Sequence, residues 1–534
     1  MREALRNNLV ALISACLAAA VAIVLGLLFP FGNDTAAHLY LTSVFAHSGF
    51  SIWDNFWYFG RFDFVGYSYL YYPLASLVGV KAPAVAGLAL FQGVVAARLF
   101  DRRSTRNYVL ASLATAISVG ALILTGAYPF LSAMGLSACA VAMYMRRSRF
   151  GFAAFVGLAA ATSPLSIGGI AFAVAFLGIS RAYGSNAKTA SNLRHLGRNL
   201  ASAVGYFNLT VLATVAGATV GVNSYFQIRG SYPYYGSDLA MAVGFCAILI
   251  SAAPVMVRRG ERLAMYCAVG AYLAVNLALF WIHTGIGGNV ARVGEIGPTI
   301  IAGVALRMDF GGHKRWMRPW LTVGALGAAL WMSLSVIAPV FDATQSYLTR
   351  GANWTEVVRT VDASYPQRRV EYVDSLLHEG AYFLPQAGIP IARGWFRQDD
   401  FVQNSIFYRQ ELSPRQYQRW LCSNQIAAVV LPPGPYDYSS VQEARLVAGG
   451  VSFLAAPVRA GRFGVYRVLG CRAVVPLRIV SATLSLALVP AAGRYVIPLN
   501  YSRFDSASFG TLSATSSGRV ALTTRRAGTV QLRS

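Results

Sequence analysis

The stretch Gly32-Asn33-Asp34-Thr35-Ala36-Ala37-His38 follows the first long hydrophobic segment and opens an aromatic loop. Asp34 is one of only nine acidic residues between positions 1 and 340, so a carboxylate at this point is uncommon. Two interpretations stay open: Asp34 caps the start of a helix, a role that Asp fills well, or it is a base at the membrane edge. If a helix begins here, His38 shares a face with Asp34. Otherwise His38 is an interfacial histidine without a special task.

The composition is that of a membrane protein with several spans. The 534 residues are 56% hydrophobic, with a mean hydropathy of +0.49. The formal charge of +24 is not distributed as in a nucleic-acid binder. Of the 24 basic residues in positions 1–340, about 20 fall in short clusters between hydrophobic segments, which is the positive-inside pattern. We therefore expect cytoplasmic basic turns and no nucleic-acid partner.

The hydrophobic segments predict about 11 transmembrane helices, since each span needs about 20 residues. The expected spans are 9–31, 82–99, 107–125, 129–145, 150–162, 166–180, 200–222, 239–257, 264–283, 297–308 and 320–340. The first segment is too long for a signal-peptide core and is expected to stay as an anchor. A cytoplasmic N-terminus and an odd count place the C-terminal part outside. Three short spans indicate either helices that border a cavity or kinked helices whose ends are misjudged.

From residue 341 the composition changes to mixed charges and short apolar runs. We therefore divide the chain into a transmembrane domain, 1–340, with a long external loop at 32–81, and an extracytoplasmic part. Residues 341–472 predict an α/β domain, with a helix at 414–422 and strands at 427–431 and 465–469. Residues 473–534 predict a β-rich, sandwich-like appendage.

The extracytoplasmic part contains two cysteines, Cys422 and Cys471. An oxidising compartment favours a disulfide between them, which would close a loop of about 50 residues. The alternative is a pair of buried thiols on neighbouring strands.

Two stretches carry a resemblance to a known superfamily. In the first external loop these are the run Asp34-Thr35-Ala36-Ala37-His38-Leu39, then Gly49, Trp53, Gly60 and Tyr72-Pro73-Leu74. In the C-terminal part they are Ala392-Arg393-Gly394-Trp395-Phe396-Arg397-Gln398-Asp399-Asp400, Asn404, Tyr417, Trp420-Leu421 and Val429-Val430-Leu431-Pro432. The chain resembles integral-membrane glycosyltransferases of the C superfamily (GT-C). More narrowly, it is similar to actinobacterial membrane proteins described as pyruvoyl-tetrahydropterin-synthase-related.

The resemblance implies a GT-C-like transferase in the bacterial cytoplasmic membrane. Such an enzyme moves a sugar, with inversion, from a polyprenyl-phosphate donor to a glycan or glycolipid acceptor of the cell envelope. An acid of the first external loop is the general base in these enzymes, and Asp34 matches that position, with His38 beside it. The loop begins with a single acid and not an acidic pair. A mechanism without a cofactor is therefore expected, and a divalent metal is not favoured.

Further residues are assigned from their place in the predicted topology. Arg292 and Arg229 are candidates for the donor phosphate, because the guanidinium fork suits phosphate oxygens; Arg61 is a weaker one. Arg292 has the alternative of a structural pair with Glu295. The candidates for acceptor binding are Trp53, Asp54, Trp57, Glu295 and Trp395. An aromatic belt at the membrane interface is the alternative for Trp53 and Trp57, and a structural plug is the alternative for Trp395.

Two other classes of function remain open from the sequence. One is a lipid or polysaccharide transporter, or an envelope assembly factor without catalysis. The other is a glycan polymerase or ligase with a lipid-linked glycan as donor. Transporters usually carry charged residues within their spans. The spans of this chain are nearly free of charge, which favours a site at the membrane surface.

Overall fold

The computed structural model describes residues 2–65, 67–98, 105–184, 204–226, 230–256, 262–291, 338, 340–341 and 346–534. The chain forms two compact units. Unit 1 consists of Met1–Gly32 and Gly66–Ala338, and unit 2 consists of Asn33–Val65 and Pro339–Ser534. Most of the first external loop thus groups with the C-terminal part of the chain. The division expected from sequence had placed this loop with the transmembrane helices.

Unit 1 is helical, because its sequence consists of long apolar runs separated by short polar turns. Its described α-helices are α1 Arg2–Leu28, α3 Tyr71–Val78, α4 Ala82–Arg98, α5 Thr105–Ala121, α6 Tyr128–Met145, α7 Arg149–Thr162, α8 Ser166–Gly184, α9 Tyr206–Tyr225, α10 Gly236–Met256 and α11 Arg262–Trp281. Short 3₁₀ helices occur at Leu122–Thr125 and Gly287–Ala291. The helix α2, Thr35–Ser48, belongs to unit 2.

Except for α3, which lies within the predicted external loop 32–81, these helices lie where the sequence places the first nine predicted spans. The last two, 297–308 and 320–340, fall almost wholly outside the described residues. Three described helices are long and apolar enough to cross a membrane: Asn8–Leu28, Tyr128–Met145 and Tyr206–Tyr225. A pair bent by 112°, Tyr71–Val78 with Ala82–Ala97, adds a fourth if it is one span. The number of 11 crossings therefore stays a prediction.

Helices α4 and α6 approach closely at two glycines. A Cβ on Gly87 would lie 2.4 Å from the carbonyl oxygen of Leu131, and one on Gly135 would lie 2.6 Å from that of Gly87. Small residues allow such backbone contact between apolar helices, where van der Waals packing is the main attraction. A side chain at either position would force the two helices apart.

The α/β part of unit 2 is built on a four-stranded sheet. Its strands are β3 Val370–Tyr372, β4 Ala428–Leu431, β5 Val458–Ala460 and β6 Phe463–Arg467. Their order is β3-β4-β6-β5, with β3 parallel to β4 and the other pairs antiparallel. The helices of this part are α12 Thr355–Ser364, α13 Gly380–Gln386, α14 Arg397–Gln403, α15 Pro414–Ser423 and α16 Val441–Ala448. Short 3₁₀ helices occur at Tyr347–Thr349, Gly351–Trp354 and Ser405–Tyr408.

Local sequence explains the start of α15 and the burial of β4. The Ser413 side chain accepts a hydrogen bond from the Gln416 amide, and the Gln416 side chain accepts one from the Ser413 amide, which is a capping box. Pro414 occupies the first helical position, where no backbone N–H is needed. The apolar face of α15, with Tyr417 and Leu421, then packs into the same core as Val429 of β4.

The C-terminal part of unit 2 is a β-sandwich. One sheet has the order β10-β13-β8-β7 and the other β11-β12-β9. The strands are β7 Leu477–Ser481, β8 Leu484–Val489, β9 Gly493–Asn500, β10 Ser506–Ala507, β11 Thr511–Ala514, β12 Arg519–Thr524 and β13 Gly528–Arg533. Alternate residues of both sheets point inward and form one apolar core, which is the period expected of strands buried on one face.

The segment 33–65 of the first external loop is built into unit 2. It forms α2 and a short hairpin of β1 Trp53–Asp54 and β2 Arg61–Phe62. The hairpin connection bonds to both parts of unit 2, because the carbonyl of Phe56 accepts from the Ile391 amide and that of Phe59 accepts from the Asn500 amide. Backbone hydrogen bonds therefore tie the loop to segments more than 300 residues away in the chain.

Cys422, in the last turn of α15, forms a disulfide with Cys471, which follows β6. The Cα atoms are 5.0 Å apart, within the range that an unstrained bond requires.

Candidate active site

Asp34 occupies the N-cap position of α2, and its side chain makes no capping hydrogen bond to the helix. The residue is half-buried, whereas His38, one turn later, is buried. The His38 amide bonds to the Asp34 carbonyl oxygen at 3.4 Å, so both residues belong to the first turn as expected. Asp34 therefore occupies the N-cap position, but its carboxylate does not bond to the helix amides as a cap usually does. The interpretation of Asp34 as a base stays open.

Tyr40 fixes α2 to the loop hairpin. Its hydroxyl donates to Asp54 Oδ2 at 2.9 Å, and its ring lies 4.5 Å from that of Trp57, centroid to centroid. The amide of Phe56 donates to the second oxygen of Asp54 at 2.8 Å. Asp54 is fully buried, and burial raises its pKa to about 6. Both oxygens of this carboxylate are therefore committed to holding α2 and the hairpin together.

Arg61, Asp63 and Asp399 form what we call the Arg61 cluster. Arg61 pairs with Asp63, and its Nε donates to Asp399 Oδ2 at 2.8 Å. Its guanidinium also lies 4.0 Å from the centroid of the Phe396 ring. Burial raises the pKa of Asp63 and of Asp399. Arg61 is thus paired with two carboxylates of unit 2. Its assignment to the donor phosphate stays a prediction, and it would require Arg61 to leave these pairs.

The two loop tryptophans lie in the core of unit 2. Trp57 is fully buried and donates its ring N–H to the Ala381 carbonyl at 3.0 Å. Trp53 is 4% exposed and donates to Asn55 Oδ1 at 2.9 Å. A Cβ on Gly394 would lie 2.6 Å from the Trp57 ring, so only glycine fits there. Their assignment to acceptor binding stays a prediction, and it would require the hairpin to open.

Trp395 is 8% exposed and stacks on the His378 ring, 4.4 Å away centroid to centroid. His378 Nδ1 lies 2.6 Å from Asp374 Oδ2, and Arg397 pairs with Asp437 close by. Burial alone would lower the pKa of His378, but the Asp374 carboxylate outweighs it and the net direction is upward. This packing fits the structural alternative for Trp395, and its role in acceptor binding stays a prediction.

A second charged group, not singled out from the sequence, lies deep in unit 2. We call Arg393, Glu371, Asp400 and Glu443 the Arg393 cluster. The guanidinium nitrogens lie 3.8 Å from Glu371, 3.0 Å from Asp400 and 3.3 Å from Glu443. The Tyr417 hydroxyl donates to Glu443 at 2.6 Å. Burial raises the pKa of Glu443 to about 7 and raises that of Glu371.

The remaining predicted site residues, Arg229, Arg292 and Glu295, lie outside the described residues. The topology predicted from the sequence also favours a site cavity between the first external loop and residues 284–298. Because Arg292 and Glu295 are not described, this cavity stays a prediction. Lys81, which the sequence analysis did not assign, lies at the bend between α3 and α4 and donates to the Gly26 carbonyl of α1 at 2.5 Å. Among the described residues, no three His, Cys, Asp or Glu side chains converge as metal ligands. The expectation of a metal-free mechanism stays untested.

No protein-family model matches this chain, and no curated protein matches it. Among solved structures, it is similar to the single-particle cryo-EM structure of the arabinofuranosyltransferase AftD from Mycobacteria, with 15% identity and a TM-score of 0.45. That match covers 90% of this chain, which spans only 41% of the AftD chain.

The chain is also similar to the crystal structure of ArnT from Cupriavidus metallidurans in the apo state, with 13% identity and a TM-score of 0.38. This match covers 85% of this chain and 98% of the ArnT chain. TM-scores below 0.5 do not establish a shared fold for either pair.

Proposed function

We propose that this chain is a membrane glycosyltransferase that moves a sugar from a polyprenyl-phosphate-linked donor to a glycan or lipid of the cell envelope. Asp34 is the general base in this proposal. The observation that carries it is the contrast among the three acids of the first external loop. Asp54 and Asp63 are buried in unit 2, whereas Asp34, at a helix start, is half-buried and therefore open to solvent.

The proposed reaction is an inverting displacement. The acceptor hydroxyl attacks the anomeric carbon, and its proton passes to the Asp34 carboxylate. The bond between the anomeric carbon and the phosphate oxygen breaks, and the lipid phosphate leaves with the electron pair. A phosphate leaving group needs little acid assistance, but it needs a cation to balance its charge. We assign that task to Arg292 and Arg229.

His38 has a supporting role in this proposal. It is buried one turn after Asp34, and we assign it the orientation of the Asp34 carboxylate or of the acceptor. We therefore expect His38→Ala to reduce transfer less than a change at Asp34. An equal or larger loss at His38 would reverse the two roles.

Asp34→Asn separates a base from a cap. Asn caps a helix as well as Asp does, so the variant keeps the fold, whereas loss of a general base costs about 10²–10⁴ in rate. The experiment measures transfer from a panel of radiolabelled polyprenyl-phosphate sugars to envelope acceptors, with thermal unfolding of the same samples. We expect unchanged unfolding and a rate loss in that range.

Asp54→Asn is the matched control, because it removes a loop carboxylate that is buried and bonded to Tyr40. We expect it to change stability more than the rate per folded molecule. A folded Asp34→Asn protein that transfers sugar at the wild-type rate would make Asp34 a cap and overturn the proposal. Wild-type protein that transfers none of the sugars would favour a transporter or an assembly factor.

A further inference from the structure

One end of the β-sandwich combines positive charge with exposed apolar residues. Residues 472–534 contain eight arginines and a single acid, Asp505. Three of the arginines, Arg494, Arg525 and Arg526, are exposed and close to turns that connect the two sheets. None of the three forms an ion pair with a described residue. Their charge is therefore unbalanced within the part of the chain that the structure describes.

The strand register places these turns side by side. Val489 pairs with Gly528 at the end of one sheet, and Gly493 pairs with Thr524 at the end of the other. The turns 490–492 and 525–527 both run between these paired ends, so they are neighbours. The connection 508–510 reaches the same end, because the Phe509 ring lies 3.3 Å from a Cβ built on Gly528. We call residues 490–492, 509–510 and 525–527 the sandwich tip.

The tip is ordered by contacts within the sandwich. Tyr495 donates its hydroxyl to the Ala491 carbonyl at 3.0 Å. The Thr524 hydroxyl donates to the Arg526 carbonyl at 2.9 Å, and the Arg526 guanidinium lies 4.5 Å from the centroid of the Phe509 ring. The tip therefore presents its charge on a fixed surface.

The side chains of the tip indicate the kind of partner. The three turns present only Pro490, Ala491, Ala492, Phe509, Gly510, Arg525, Arg526 and Ala527. The turns themselves offer no hydroxyl, amide or carboxylate side chain with which to read the hydroxyls of a glycan, and the exposed polar side chains beside them include two threonines, Thr523 and Thr529. Two exposed aliphatic side chains, Leu488 and Val496, flank the turns. Arginine next to exposed apolar residues is the combination that favours an interface with anionic lipids.

We propose that the sandwich tip docks on the headgroups of anionic phospholipids. The arginines contact the phosphates, and the small apolar residues of the turns enter the headgroup layer. The same chain carries helices long and apolar enough to cross a membrane. A bilayer is therefore present at high effective concentration, and a weak surface contact suffices to dock the tip.

The test uses the full-length chain in nanodiscs of phosphatidylcholine, with and without anionic phosphatidylglycerol. The photo-crosslinking residue p-benzoylphenylalanine replaces Ala491 in the tip. In a second protein it replaces Ser516, which is exposed in the turn at the opposite end of β12. Intact mass spectrometry after illumination measures the lipid adduct. We expect an adduct at 491 and not at 516, formed in the anionic discs and reduced by added salt.

Matched charge variants identify the arginines responsible. Arg525→Ser with Arg526→Ser removes two charges from the tip, and we expect a loss of adduct of about tenfold. Arg478→Ser with Arg533→Ser removes two exposed charges of the same sheet that lie outside the turns of the tip, and we expect no change. Thermal unfolding should change little for either double variant, because all four side chains are exposed and the Arg526–Phe509 contact is a single contact at the surface.

Three results would overturn the proposal. The first is an adduct that forms equally in the two kinds of disc. The second is an adduct that survives Arg525→Ser with Arg526→Ser. The third is the absence of an adduct at 491 in anionic discs. If soluble polygalacturonate then protects the tip from a water-soluble arginine reagent, its partner is an anionic glycan and not a lipid.

Discussion

The start of α2 and the Arg393 cluster both place carboxylates in unit 2, but in opposite surroundings. Asp34 is half-buried at the first turn of a helix. Glu371 and Glu443 are fully buried and share a single guanidinium. A buried carboxylate costs free energy unless a cation and hydrogen bonds compensate it. The scarcity of acidic residues alone therefore does not identify a site. Asp54, Asp63 and Glu443, for example, are buried acids whose partners within unit 2 stabilise the fold.

The largest expected effect in this comparison is the loss of the compensating cation. Arg393→Met keeps much of the side-chain volume but leaves three buried carboxylates without their partner. We expect unit 2 to lose about 3–5 kcal/mol of stability, as is typical when one partner of a buried ion pair is removed. Denaturant unfolding followed by tryptophan fluorescence measures it.

Arg415→Met is the control for Arg393→Met, since Arg415 is exposed on α15. We expect a change within about 0.5 kcal/mol there. Equal stability of the Arg393 and Arg415 variants would show that the Arg393 cluster is compensated by other means. The contrast with Asp34, where a change is expected to affect rate and not stability, would then fail.

Local patterns in the sequence predict much of the fold. The predicted span 129–145 matches Tyr128–Met145, the predicted helix 414–422 matches Pro414–Ser423, and the predicted strand 427–431 matches Ala428–Leu431. Each of these elements has its own periodicity or capping signal, so the information lies within the element.

The candidate site depends on pairs that are distant in sequence. Arg61 and Asp399 are 338 residues apart, and Arg393 and Glu443 are 50 apart. No local period links such partners, so the sequence did not predict either cluster or the inclusion of residues 33–65 in unit 2. The position of Asp34 at a helix start was predicted, because Asp before an apolar run is a local signal.

The next expected effect concerns the covalent link near the Arg393 cluster. Cys422 lies on α15, five residues after Tyr417. The Tyr417 hydroxyl donates a hydrogen bond to Glu443. Cys422→Ala with Cys471→Ala removes a disulfide that closes a loop of about 50 residues, and should cost about 2–4 kcal/mol. The loss arises mainly from greater freedom of the unfolded chain, so the Arg393 cluster itself should stay intact.

Thiol labelling checks whether this disulfide forms. In the unfolded, unreduced protein, neither Cys422 nor Cys471 should react with a maleimide, and both should react after reduction. Labelling of both before reduction would leave the pair as buried thiols. The double alanine variant would then be expected to lose only packing energy.

The smallest effect concerns Asp54, which is buried like the acids of the Arg393 cluster but bonded to the helix that carries Asp34. Burial raises its pKa from 3.8 to about 6, while hydrogen bonds from Phe56 and Tyr40 and the charges of Arg61 and Arg369 act against this rise. Between about pH 4 and pH 6, therefore, Asp54 is protonated in the folded state and ionised in the unfolded state. Stability from this group is complete below that window and is lost as the pH rises through it.

The stability of wild type relative to Asp54→Asn should accordingly fall across the window. Tyr40→Phe removes a donor that favours the charged form, so it should move the midpoint of this fall to higher pH. Unfolding curves measured at several pH values test both variants. A relative stability that stays flat or rises with pH would show that Asp54 is ionised in the fold throughout, and that its hydrogen bonds and neighbouring charges outweigh its burial.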